Sequence, residues 1–375
     1  MSSYHSATEL PSPGVEQIEH SSALIERIVH RIEQAGGVIP FSDYMQMCLY
    51  EPAYGYYSSG STKFGAAGDF ITAPEVSPLF GQCIAHHAIE LIKEGMSNRF
   101  FELGAGSGKL CRDIIEAFGQ QGQEWQQYLI LEPSADLQQR QQVFLESELE
   151  PEQYQRIKWL SELPKQFSGL ILGNEVLDAM PVNVVLKDSQ WLELGVGFAD
   201  GRFQWVGYAR ESEAINAINN IDQDQSLEEG YCTEINMNYG PWFNSLFSSC
   251  ENVRALLIDY GYKQAQYYHP QRKTGTLMCF YQHRSHPDPF VYPGLQDITA
   301  FVDFDAAGDA AVAAGFEIEG LTSQAEFLMS NGLMDSISAT EDPMQQLDLA
   351  QQVKTLTLPG EMGEKFKVLS LSKSS

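Results

Sequence analysis

Long apolar runs are absent from this chain. None of its 375 residues opens a stretch of eighteen apolar positions, so no hydrophobic helix long enough to cross a bilayer is expected. Paired cysteines are absent as well. The six cysteines, at 48, 83, 111, 232, 250 and 279, are scattered without a C-x-x-C spacing and read as reduced thiols of a cytoplasmic protein. Basic residues are scarce: 23 Lys and Arg face 50 Asp and Glu, a formal net charge of −27. That field repels phosphate backbones and argues against broad nucleic-acid binding, whereas it attracts a basic peptide or protein segment. Solubility or adaptation to salt accounts for the surplus equally well. The first residues lack a secretory pattern, and Glu9, Glu16 and Glu19 argue against an acid-poor mitochondrial presequence.

What is present is a core-forming composition, 43% hydrophobic, in a chain too long for one minimal domain. Its organising stretch is 100–113, Phe-Phe-Glu-Leu-Gly-Ala-Gly-Ser-Gly-Lys-Leu-Cys-Arg-Asp. Phe100, Phe101 and Leu103 suit a strand buried on both faces of a parallel sheet. Gly104, Gly106 and Gly108 follow at once, and Leu110, Ile114, Ile115 and Phe118 then recur at helical spacing. A strand, a tight glycine turn and a helix make a nucleotide-type cradle, with helix N–H groups facing the ligand. The dinucleotide fingerprint sets its third glycine five residues after the first; here the interval is four, and Glu102 sits two before the first. The next apolar run, 128–131, ends at Glu132. A carboxylate there is placed to accept hydrogen bonds from ribose hydroxyls, which supports an adenosine-type ligand without choosing among them.

Along the chain, residues 1–20 read as a mobile lead-in, and 21–95 as a helical N-terminal segment with a cofactor lid. Residues 96–182 read as the Rossmann-like core, 183–250 as a β-rich and helical insertion, and 251–375 as completion of the core. Leu24, Ile28 and Ile32 mark one face of a helix stopped at Gly36 and Gly37. Residues 40–60 are aromatic, a cluster suited to stacking on adenine, to lining an acceptor groove or, more commonly, to gluing this segment onto the core. Gly65, Gly68 and Asp69 suggest a constrained loop, and Ser77 with Pro78 an N-cap and first helical position. The run 170–172 is a buried strand leading into Asn174, Glu175 and Asp178, polar residues where open α/β sheets bind ligands. His283, His286 and Asp288 have a metal-like spacing, but Pro287 and Pro289 make the segment a loop without further ligands, and no metal site is expected.

Several separated stretches together resemble the MidA-like family of class I S-adenosylmethionine (SAM) methyltransferases, which includes a mitochondrial complex I assembly factor. They are Tyr-Gly-Tyr-Tyr at 54–57, residues 68–81, Glu-Leu-Gly-Ala-Gly-Ser-Gly at 102–108 and Asn-Glu-Val-Leu-Asp-Ala-Met-Pro-Val at 174–182. Residues 258–261, 297–304 and 362–368 follow in the family's order. Ser107 and Lys109 stand where the family commonly has Arg and Thr, which alters the charge beside the methionine end of SAM. Phe301 replaces a frequent histidine, a change expected to bear on the acceptor pocket. The resemblance implies a Rossmann-like sheet, SAM as cofactor, and methylation of protein arginine in respiratory complex assembly. It places SAM at Gly104, Gly106, Gly108, Glu102 and Glu132, with Gly68 and Asp69 closing over it.

An arginine acceptor is always protonated and has no free lone pair, so carboxylates must grip it, localise its charge and help remove a proton. Glu175 and Asp178, three apart, are expected to share one face of a helical turn for that purpose, with Asn174 orienting either ligand. A small-molecule methyltransferase and a SAM-binding assembly factor with little turnover remain open beside this reading.

Overall fold

Apolar periodicity decides the first element. Leu24, Ile28 and Ile32, one helical turn apart, are buried along α1 (Val15–Gln34). The helix begins inside the segment expected as a mobile lead-in, because Val15 to His20 continue it by more than one and a half turns. The computed structural model of the chain describes residues 10–58, 71–208, 211–337 and 343–374. After α1 come β1 (Ile39–Pro40), α2 (Phe41–Tyr50), α3 (Ala73–Val76) and α4 (Pro78–Lys93). The Ser77 hydroxyl accepts the Leu79 N–H at the start of α4, with Pro78 in its first turn, so this helix starts where its cap chemistry places it.

The core then alternates: β2 (Arg99–Leu103), α5 (Lys109–Gln120), β3 (Gln127–Leu131), α6 (Ala135–Glu148), α7 (Pro151–Tyr154), β4 (Ile157–Leu160) and β5 (Phe167–Asn174). Next are β6 (Asn183–Lys187), β7 (Trp191–Ala199), β8 (Arg202–Tyr208), α8 (Glu213–Gln225), β9 (Cys232–Ile235), α9 (Tyr239–Ser249) and β10 (Cys250–Tyr262). The chain continues with α10 (Gln264–Tyr267), β11 (Met278–Tyr281), β12 (Arg284–His286), β13 (Asp297–Thr299), β14 (Val302–Asp303) and α11 (Phe304–Ala314). It closes with β15 (Glu317–Ser323), α12 (Gln324–Ser330), α13 (Leu333–Ile337), α14 (Pro343–Thr357) and β16 (Phe366–Lys373).

The main sheet runs β15-β16-β10-β5-β2-β3-β4, with β14 beside the end of β10. From β10 to β4 the strands are parallel, while β16 is antiparallel to both neighbours. Successive residues of β2 serve opposite faces. Phe100 packs with Phe118, Tyr128 and Leu170 under α4 and α5, and Phe101 with Leu129, Phe167 and Ile171 on the side of α9 and α11. The chain moves outward from β2 through β3 and β4, then returns to β5 on the other side. The order therefore reverses between β2 and β5, where a crevice opens beyond the carboxyl ends of the strands.

The inserted strands form a second, antiparallel sheet, β1-β7-β6-β9 with β8 on β7. Its edge strand β1 comes from the N-terminal segment, through Ile39 opposite Val196. Leu24, Ile28, Phe41 and Tyr44 share one buried cluster with Val184 and Val196, so N-terminal segment and insertion are one packed unit at the sheet's carboxyl side. A third sheet, β12-β11-β13, completes it.

Helices α4 and α5 approach closely at Gly81, where an added Cβ would stand 2.5 Å from the Cβ of buried Asp113. Gly81→Val should force the helices apart and cost about 1–3 kcal/mol. A urea midpoint equal to that of the wild type would show that the contact is not tight.

Candidate functional site

A cavity of about 620 Å³ lies at the strand-order reversal, within the range of sites that enclose a nucleoside-sized ligand. Its first wall is local in sequence. Gly104, Gly106 and Gly108 all take left-handed φ, at +67°, +54° and +89°, which lets the turn leave β2 and enter α5 in five residues. The Gly104 N–H donates to Leu131 O at 3.0 Å, tying the turn to the end of β3. A Cβ on Gly104 would meet nothing within 4 Å, so the turn faces open space.

At the end of β3 stands Glu132, 5% exposed, with Oε1 accepting the Ser134 N–H at 3.0 Å. Its other oxygen accepts from the Gln141 amide at 3.2 Å. Glu102 is more deeply placed. Its Oε2 accepts the Tyr128 hydroxyl at 2.8 Å, and burial pushes the carboxyl up to about 7 despite that bond. Ser107 and Lys109, the two departures beside the glycine turn, are both engaged by Glu75 of α3. The Ser107 hydroxyl donates to one oxygen, and the Lys109 ammonium lies 2.6 Å from the other. The added lysine is thereby neutralised locally. Gly68 and Asp69 lie outside the described residues.

The second wall comes from strand ends far apart in sequence. After β5, Asn174 donates its amide to Glu175 Oε1 at 3.2 Å, and Glu175 has φ +55°. A left-handed glutamate is uncommon and holds only where its surroundings demand it. Here Asp259, near the end of β10, makes the demand. Its Oδ2 accepts three successive N–H groups, from Val176, Leu177 and Asp178, at 3.1, 2.9 and 3.2 Å. The expected helical turn through Glu175 and Asp178 therefore does not form: these N–H groups bond to a neighbouring strand's side chain, and the segment is a bend and turn.

Both residues nonetheless line the cavity, together with Asn174 and Asp297. Burial raises Asp178 to about 6, and burial with the Asp178 charge pushes Glu175 well above the usual carboxylate range. Asp178 Oδ1 and Asn174 Oδ1 are buried without a hydrogen-bond partner among the described residues. Such atoms mark where a ligand's donors would be accepted.

The aromatic N-terminal cluster divides. Phe41 and Tyr44 are packing residues, Tyr44 meeting Phe203 and Phe290 edge-on. Tyr50 and Tyr57 stack at 5.5 Å on the cavity wall, and the Tyr57 hydroxyl donates to Asp297 Oδ1 at 3.0 Å. Tyr50 donates to Ala179 O at 2.9 Å. Sequence reasoning missed Asp297, Asp259 and Gln141 as site residues; only the family stretches containing the two aspartates pointed toward them. Phe301 does not line the cavity. It packs edge-on against Tyr260 at 4.9 Å, so its replacement of histidine acts at one remove from any acceptor. His283, His286 and Asp288 form no metal cluster among the described residues.

Comparison with known proteins gives one consistent result. Residues 83–322 match a family model described as "Putative S-adenosyl-L-methionine-dependent methyltransferase". The mitochondrial protein arginine methyltransferase NDUFAF7 homolog of Drosophila melanogaster is 30% identical, over 89% of this chain and 82% of its own length. The human protein arginine methyltransferase NDUFAF7 is 28% identical, over 96% and 86%. The crystal structure of a superfamily member from Burkholderia thailandensis, bound to S-adenosyl-homocysteine, superposes with a TM-score of 0.92. It is 41% identical and covers 97% of this chain and 95% of its own.

The three bonds to Asp259 generate a test that needs no ligand. Asp259→Ala leaves three N–H groups unpaired, each costing about 1–3 kcal/mol if it stays buried. Amide exchange at residues 176–178 should accelerate at least tenfold while the amides of β5 keep their protection. Unchanged exchange there would show that the loop holds itself.

Proposed function

The chain belongs to the MidA-like family of SAM-dependent methyltransferases, and on that premise we propose that it methylates arginine side chains of a protein acceptor. The observation that carries the proposal is the cavity's acidic lining. Glu75, Glu102, Glu132, Glu175, Asp178 and Asp297 line it, and no Lys, Arg or His does so among the described residues. A cavity of that kind takes a cationic acceptor and disfavours an anionic one.

The cradle residues fit the cofactor. Gly104, Gly106 and Gly108 open the backbone, Glu132 stands where ribose hydroxyls would donate, and Asn174 lines the same space. SAM, when bound, supplies an already activated methyl group. The protein's work is then to place an acceptor nitrogen in line and exclude water. Glu175 and Asp178 grip the guanidinium and draw its positive charge toward themselves, leaving the opposite nitrogen richer in electron density. One of these carboxylates holds the proton that the nitrogen loses. Tyr57 orients Asp297, and the stacked Tyr50–Tyr57 pair forms an apolar wall across the cavity. The names of the relatives favour arginine over lysine, and the overall charge of −27 favours a basic segment around it. All six cysteines are free thiols, which supports a reducing compartment such as the cytoplasm.

Gly106→Val tests the cradle. A β-branched residue at φ +54° is strained and would distort the turn that lines the cavity. Calorimetry with S-adenosyl-homocysteine should show at least a hundredfold weaker binding in a folded variant; native affinity would place the ligand elsewhere.

The acceptor side is tested separately, by incubation with labelled SAM and cell extract and identification of the labelled side chain. Label on arginine is expected, and label confined to other acceptors overturns the proposal. Glu175→Gln and Asp178→Asn should each slow transfer to that acceptor about a hundredfold or more, since a gripped cation loses its paired charge. Binding of S-adenosyl-homocysteine should change little. Because Asp178 holds its proton up to about pH 6, and a protonated carboxyl cannot pair with guanidinium, kcat/KM should rise with pH from 5 to 8. Asp178→Asn should move that rise, leaving the part that Glu175 contributes, and an unchanged profile would remove Asp178 from the grip.

A further inference from the structure

The buried stripe of α6 reads Leu137, Gln141, Leu145, each one turn from the next. Its middle position breaks the apolar pattern with an amide that is 0% exposed. A leucine there would pack the same stripe without desolvating a polar group, so the amide needs another reason. Its bonds supply one. Nε2 donates to Gly106 O at 3.0 Å and to Glu132 Oε2 at 3.2 Å. These acceptors belong to the two halves of the cradle: the glycine turn after β2 and the carboxylate after β3.

The orientation of the amide is settled by a third bond. The Trp159 indole N–H donates to Gln141 Oε1 at 2.9 Å. An indole nitrogen can only donate, so the amide oxygen must face it, and both amide hydrogens must face the cradle. The chain thus holds Gln141 between a fixed donor on β4 and two acceptors 26 residues apart in sequence. We infer that Gln141 is a positioning residue for the cofactor, clamping the glycine turn to Glu132, with Trp159 setting the direction of the clamp. With Ser134 N–H on one oxygen and Gln141 on the other, the Glu132 carboxylate is aimed before any ligand arrives. The inference rests on the reading of this cradle as the SAM site.

Two variants separate a clamp from a packing residue. Gln141→Leu keeps volume and removes all three bonds. Gln141→Glu keeps shape and the acceptor for Trp159, but sets a second carboxyl against Glu132. While that carboxyl holds a proton it can donate to Glu132 as the amide did; once ionised, it repels Glu132. Calorimetry with S-adenosyl-homocysteine, from pH 6 to pH 8.5, gives the ratio of variant to wild-type dissociation constants. For Gln141→Leu the ratio should be about tenfold at every pH. For Gln141→Glu it should be within a few-fold of one at pH 6 and climb to tenfold or more by pH 8.5. KM for SAM should follow the same ratios, while kcat at saturating SAM changes less than threefold.

A wild-type affinity in Gln141→Leu, or a pH-independent ratio in Gln141→Glu, overturns the clamp while leaving the cofactor site intact. A wild-type protein that does not bind S-adenosyl-homocysteine overturns the cofactor reading, and the clamp with it. Should Gln141→Leu fail to fold, the pH profile of Gln141→Glu decides alone.

Discussion

One buried carboxylate, Asp259, sets the shape of the cavity wall formed by residues 174–178. Near the end of β10 it gathers the N–H groups of residues 176–178, which follow the neighbouring strand β5. Those groups would otherwise start a helix or meet water. Gathering them ends β5 abruptly, holds Glu175 in a left-handed conformation, and brings Glu175 and Asp178 to the cavity wall. The arrangement is a tight one for like charges. Burial and the nearby Asp178 and Glu175 carboxylates push Asp259 well above its ordinary value, while the donated N–H groups pull it back. The site therefore gathers carboxyls that burial and one another hold above their ordinary values, which a bound cation would draw into their charged form.

That concentration works against the fold as pH rises. Asp178 and Asp113 are raised to about 6 and Glu102 to about 7. For an acid raised in the folded state, the native protein binds protons that the unfolded chain has released. The stabilisation is full below the unfolded values, near 4, and is lost as pH climbs through the folded ones. A bound cation reverses this balance locally, since pairing lowers the same carboxyls. Binding of a cation and the ionisation of this wall would thus be linked. The carboxylates beside the glycine turn, Glu102 and Glu132, are held differently, by hydrogen bonds from uncharged donors on Gln141, Ser134 and Tyr128.

The two walls also differ in how far apart their parts lie in the chain. The glycine turn and Glu132 belong to consecutive β-α units, and their spacing was readable because strand, turn and helix leave contiguous patterns. Tyr57 and Asp297 are 240 residues apart and meet only because the N-terminal segment packs into the insertion's sheet and onto β13. The aromatic run at 40–60 offered stacking, groove and packing readings. The structure divides the run: Tyr44 packs in the core, and the Tyr50–Tyr57 pair lines the cavity.

By itself the sequence determined the Rossmann-like core, the order of its strands' motifs, the glycine cradle with its two acids, and the family to which these belong. It did so because each is written in neighbouring residues: apolar runs, glycines at fixed offsets, an acid at a strand end. Only the tertiary structure decided that residues 175–178 do not form a helical turn, that Ser107 and Lys109 are claimed by Glu75, and that Phe301 stands back from the cavity. Tertiary contact alone also placed Asp259, Asp297 and Gln141 in the site. The physical reason is common to all of them. A buried polar group takes whichever donor or acceptor the fold brings near, and its partner, here 34 to 240 residues distant in most cases, leaves no mark on the local pattern.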